Sequence, residues 1–91
     1  MSGRLPVNRR RAYEIAAERD DWQCQLCGRP ASDVHHILFR SHGGSDDPRN
    51  LICLCRSCHS LAHSDERVYR DRLFEINKKK HGDFSVEDVK K

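Results

Sequence analysis

An α+β domain too small to be held by its core alone is the fold class this sequence predicts, and three observations predict it. The first is size: 91 residues give room for one domain and not for two. Only 36% of them are hydrophobic against 34% charged, with one Trp, three Phe and two Tyr, so little apolar surface is available to bury. The mean hydropathy of −0.86 agrees. The second is order: two short apolar runs, at residues 34–39 and 51–54, lie between two stretches of helical spacing. The third is cysteine placement. Cys24 and Cys27, then Cys55 and Cys58, form two Cys-x-x-Cys pairs. Five cysteines are an odd number, and the N-terminus has no apolar segment of the secretory kind, so a reducing cytoplasm and metal thiolates are expected. The expected staple is zinc.

Residues 1–8 contain Gly3 and Pro6, lack periodicity, and read as a flexible basic arm. A single domain is expected over residues 9–82. From Arg9 good helix formers dominate, and Ala12, Ile15, Ala16 and Arg19 fall on one side, so a helix ends near Asp20. Gly28 and Pro30 stop any continuation, and the first cysteine pair forms a metal knuckle between them and Trp22. Residues 34–39, rich in branched and aromatic side chains, form a strand that leaves into a polar loop, residues 40–50. A second strand at 51–54 enters the second knuckle, and residues 59–63 open a short helix. Ser64 is expected to cap the next helix, with Asp65 and Glu66 in its first turn. Val68, Tyr69, Leu73 and Ile76 recur at helical spacing, the helix runs to about Lys80, and Gly82 stops it. In the tail, residues 83–91, Ser85 and Asp88 have capping-box spacing for one last helical turn.

The two cysteine pairs can each supply two corners of a tetrahedron, which makes Cys24, Cys27, Cys55 and Cys58 a closed, structural zinc site. Binding energies of about 10–16 kcal/mol for such sites exceed what so thin a core supplies. Cys53 lies inside an apolar run and reads as a small buried hydrophobe. Four of the six histidines, His35, His36, His59 and His63, fall around the second knuckle. His59 and His63 are four apart, so on a helix they leave one face, the spacing by which two imidazoles share a metal. One of His35 and His36 can complete a three-ligand set. Adjacent strand residues point to opposite faces, so these two must do different things. Three imidazoles leave coordination positions for water and a phosphate oxygen, and the remaining ring can act as general base, with an ordinary pKa of about 6.5. His42 and His81 have no assigned role.

These residues together resemble the HNH endonuclease family across residues 22–63. The matching text is Cys24-Gln-Leu-Cys27, Val34-His-His-Ile37, Gly43-Gly44, Asn50-Leu-Ile-Cys-Leu-Cys55, and Cys58-His59 followed by His63. The resemblance implies a ββα-metal core, here with flanking N- and C-terminal helices. It implies that His35 is the first ligand of a catalytic divalent cation, that His36 activates the attacking water, and that His59 and His63 complete the ligands. Asn50 would brace the loop between the strands and hold the backbone near His36. The implied reaction is hydrolysis of a phosphodiester to 5′-phosphate and 3′-hydroxyl ends. Many members carry Asp where this chain has His35. A nitrogen-rich set accepts Mn²⁺, Ni²⁺ or Zn²⁺ more readily than Mg²⁺, which prefers oxygen, so broad metal dependence is expected.

The net charge of +3 is compatible with a polyanion partner. Arg40, Arg49 and Arg56 bracket the strands and the second knuckle and are candidates for forking onto DNA phosphates, while Arg9 to Arg11 and Lys78 to Lys80 could extend that footprint. The expected function is a metal-dependent DNA endonuclease, cutting one strand or both. The competing expectation is a noncatalytic zinc module that binds nucleic acid or docks on a larger DNA-processing machine. No stretch approaches the roughly 20 apolar residues that cross a bilayer, so no membrane partner is expected. Very small chains of this family resemble phage or mobile-element proteins, which implies a monomer in a bacterial host cell with the packaging terminase or portal as candidate partners.

Overall fold

A computed structural model describes residues 8–91; residues 1–7, most of the expected basic arm, lie outside the described residues. The elements in chain order are α1 (Arg9–Arg19), β1 (Asp33–His36), β2 (Leu51–Leu54), α2 (Arg56–Ser64) and α3 (Glu66–His81), with 3-10 turns at Arg40–His42, Pro48–Asn50 and Val86–Val89. β1 and β2 pair antiparallel, with His35 opposite Ile52 and His36 opposite Leu51. The fold is therefore the expected small α+β class, a two-stranded sheet covered by helices.

The sheet sorts side chains by parity. Leu51 and Val34 pack with Ala12, Ala16 and Tyr13 of α1, while Ile52 and Leu54 join a second cluster with Ala62 of α2 and Leu73 and Phe74 of α3. Alanines on α1 let that helix lie close to the sheet. Asn8 caps it by accepting the Arg11 N–H at 2.8 Å. Its end is fixed by charge: Arg19 forks onto Asp20 at 2.8 and 2.9 Å and donates to the Leu51 carbonyl at 2.6 Å. Asp20, its side chain fully enclosed, also accepts from Lys80 of α3 and from the Cys53 N–H. His81 lies 3.1 Å from Arg19 and so belongs to this network. Beyond it Asp21 and Trp22 take φ of 56° and 55°, which reverses the chain into the first knuckle.

Three boundaries differ from expectation. β1 covers Asp33–His36 and stops before residues 37–39. The cause is Asn50, whose backbone carbonyl accepts from Ile37 N–H while its side-chain amide takes both polar groups of Leu38, so the ladder ends on a side chain. α2 begins at Arg56, inside the second knuckle, which puts Cys58, His59 and His63 on one helix. Ser64 is the last residue of α2 and not the cap of α3; its hydroxyl donates back to the Ser60 and Leu61 carbonyls. α3 then runs to His81 and ends at Gly82, whose φ of 80° suits glycine.

The loop between the strands is pinned tightly. A Cβ on Gly44 would lie 1.8 Å from the Leu38 carbonyl oxygen, so only glycine fits there. The C-terminal turn has its capping box between Ser85 and Asp88 and docks on this loop: Ser45 donates twice to the Val89 carbonyl, and Val89 is fully buried. No helix among the described residues is long and apolar enough to cross a membrane.

Candidate functional site

Cys24, Cys27, Cys55 and Cys58 bring their Sγ atoms within 4.8 Å of one another. Cys27 and Cys55 are 3.6 Å apart, close to the edge of about 3.8 Å of a tetrahedron with metal–sulfur bonds of about 2.3 Å. The first knuckle is closed by Gly28 N–H to Cys24 carbonyl and tied to β2 by Gln25 N–H to Cys53 carbonyl. Burial opposes ionisation of Cys24, but N–H groups of Cys55, Leu26 and Cys27 bring its pKa down to about 6. Burial and the neighbouring sulfurs push Cys58 the other way, as expected of thiols that need a cation to ionise together. The donor set fits zinc. Cys53 stands apart, buried with its thiol pushed up to about 11 by burial and by Asp20.

One residue after Cys58, the same helix presents His59, and His63 follows one turn later. Their Nε2 atoms are 3.1 Å apart. His35, 3% exposed on β1, turns its ring toward both, with ring centroids 5.0 and 5.3 Å away. One nitrogen from each of the three lies within 4.8 Å of the other two. The 3.1 Å separation matches the edge of about 3.0–3.4 Å between two nitrogens bonded to one ion at about 2.1 Å. Burial, then the neighbouring rings of His59, His63 and His36, lowers the His35 pKa to about 3, so it stays neutral with a lone pair to offer. Among the described residues its ring makes only ring contacts, with no hydrogen bond. These three imidazoles could hold a divalent cation, and the donor set fits one.

His36 leaves the opposite face of β1. Its Nε2 lies 2.8 Å from Asp46 Oδ1, and Tyr13 of α1 stands edge-on to it with centroids 5.9 Å apart. Asp46 is in turn approached by Arg9 at 3.4 Å, and its carboxyl is held below the ordinary range because His36 and Arg9 outweigh the opposing effect of burial. Asn50 is fully buried and uses its amide on Leu38 N–H, Leu38 carbonyl and Ser45 carbonyl at 2.8, 3.1 and 3.0 Å. The three arginines differ. Arg49 is engaged internally, with Asp47 at 2.9 Å, the Asp88 carbonyl and the Phe84 ring. Arg40 is exposed, and Arg56, 81% exposed, lies 3.6 Å from Asp33 beside the imidazoles.

Sequence reasoning missed four participants. Asp33 Oδ2 is 3.1 Å from His59 Nδ1. Period-two alternation, with Asp33 two residues before His35, could have found it once the strand began one residue earlier. Phe39 stacks on both His63 and His42, with centroids 4.8 and 5.5 Å away, which gives His42 a place at the edge of the cluster. Asp46 and Tyr13 meet His36 only through the fold, and no local signal announces them.

A family model described as HNH endonuclease matches residues 24–65, the span that carries both cysteine pairs and all four of these histidines. The chain is 34% identical over 68 residues to Anaredoxin of Nostoc sp., an alignment covering 72% of this chain and 90% of that protein. The chain belongs to the HNH endonuclease family. Two further relatives, both from Escherichia coli, match shorter stretches: the type IV methyl-directed restriction enzyme EcoKMcrA, 42% identical over 36 residues, and the uncharacterized protein YdfU, 33% identical over 52. The chain spans 13% and 15% of those longer proteins.

Proposed function

We propose that this protein is a metal-dependent DNA endonuclease, with His35, His59 and His63 holding one divalent cation and His36 acting as general base. The observation that carries the reading is the convergence of three imidazole nitrogens within 4.8 Å on the face of β1 opposite His36. A cation held there supplies the positive charge that offsets negative charge building on a phosphodiester oxygen. The protein's own groups do the rest. Asp46 is ionised and can only accept, so the neutral His36 ring keeps its proton on Nε2 and offers the Nδ1 lone pair to a water proton. Consecutive Cα atoms are about 3.8 Å apart, so base and ligand sit on two sides of one strand end. Asn50 keeps that end from fraying. Arg40 and Arg56, whose guanidinium groups face solvent, take the phosphates of the substrate, and Cys24, Cys27, Cys55 and Cys58 hold the structural zinc.

Purified protein with Mn²⁺ or Mg²⁺ is expected to convert supercoiled plasmid to nicked or linear forms. His36→Ala is expected to lower that rate at least 10²-fold while zinc content stays unchanged. A wild-type protein inert with Mg²⁺, Mn²⁺, Ni²⁺ and Zn²⁺ alike would instead support the noncatalytic zinc module.

A further inference from the structure

We propose that the open groove beside α1 is a subsite for an unpaired nucleobase of the substrate strand, with Trp22 as its stacking platform; this rests on the nuclease reading. The groove has a volume of about 610 Å³ and is lined by Arg9, Arg10, Tyr13, Glu14, Trp22 and Val34, among others. Trp22 is 62% exposed, the most exposed of the large apolar side chains described, in a protein with little apolar surface to spare. Its backbone is nevertheless fixed. Trp22 N–H donates to the Ala17 carbonyl and Ala31 N–H donates to the Trp22 carbonyl, each at 2.9 Å. Two successive non-glycine residues, Asp21 and Trp22, hold positive φ to present the ring this way, and such strain persists where the surroundings impose it.

Position and charge identify the occupant. Val34 and His36 share one face of β1, and Tyr13 lines the groove while touching the His36 ring edge-on, so the groove continues into the region of the proposed base. Arg9 reaches Asp46, the partner of His36. Arg10 has no ion-pair partner among the described residues, and Glu14, the acidic lining residue, is already 3.4 Å from Arg11. An aromatic face flanked by arginines matches a nucleotide: the ring stacks on the base and the cations meet the phosphate. Paired bases inside a duplex have both faces covered, so the ligand is a base out of the stack.

Trp22 is the one tryptophan, so its emission reports on this groove alone. Titration of the full chain with a ten-residue oligo(dT) is expected to quench it, while an abasic strand of equal length is not. Trp22→Ala should weaken oligo(dT) binding about 5–150-fold, the range that corresponds to a stacking contribution of about 1–3 kcal/mol, and Trp22→Phe should restore most of it. Equal quenching by abasic and dT strands, or unchanged binding by Trp22→Ala, overturns the subsite. The strand comparison uses the wild-type chain and decides the matter even if the alanine variant misfolds. Plasmid cleavage without dT quenching would sink the subsite and leave the nuclease reading standing; quenching without cleavage would do the reverse.

Discussion

His59 faces a carboxylate on one side and an imidazole on the other, with Asp33 Oδ2 3.1 Å from its Nδ1 and His63 Nε2 3.1 Å from its Nε2. The His59 contact, against some opposing burial, holds the Asp33 carboxyl below the ordinary aspartate range, so Asp33 is ionised and accepts. His59 therefore carries its proton on Nδ1 and turns a lone pair toward His35 and His63. Such a carboxylate behind a ligating imidazole fixes both tautomer and ring angle. Asp33→Asn is expected to weaken Mn²⁺ binding at the three histidines about 10–100-fold, measured by calorimetry on protein whose cysteine site is already zinc-loaded. Unchanged affinity would mean that Asp33 serves only its other neighbours, Ser32 and Arg56.

At the scale of elements, Asp20 joins α1, β2 and α3 through Arg19, the Cys53 N–H and Lys80. Burial raises its pKa, but these three partners overcome that and leave it below 3.8. A carboxylate depressed in the folded state contributes stability in full above its unfolded pKa and loses it as pH falls through the folded one. Asp20→Asn should cost on the order of 3 kcal/mol near neutral pH, because Arg19 and Lys80 lose their shared anion. Thermal melts of both proteins should converge as pH drops below about 4, whatever acid does to the thiolates they have in common. A difference independent of pH would assign Asp20 a packing role only. The elements were legible to different degrees for physical reasons. Cysteine pairs and the His59/His63 spacing are local, so two residues and a helix period suffice to read them. The end of β1 was not legible, since what replaces the ladder at Leu38 is a side chain 12 residues away. Ser64 carries the chemistry of a cap, and only the path of α2 decides that its hydroxyl turns back to Ser60. Parity did separate His35 from His36; what it could not supply was Asp46, which reaches His36 only when the loop folds over.

For the whole molecule, the sulfur cluster is the junction. It joins the knuckle after α1 to the start of α2, and all four cysteines lie beside or within the larger apolar cluster, whereas the cluster under α1 is built on Ala12, Ala16 and Leu51. Removing zinc with a strong chelator is expected to abolish the cooperative melt, because about 10–16 kcal/mol of metal binding is linked to folding in sites of this type. Cys58→Ser should behave likewise, and a normal zinc-free transition in that variant would transfer the stabilising role to the core.

Cys58 and His59 are separated by a single peptide bond on one helix. A metal held by the four thiolates would consequently act as a gauge for the imidazoles: an ion of larger radius seated there would rotate or lift α2, and the ring of His59 would travel with it. Spacing between the three nitrogens would thereby be calibrated by an atom outside their own cluster.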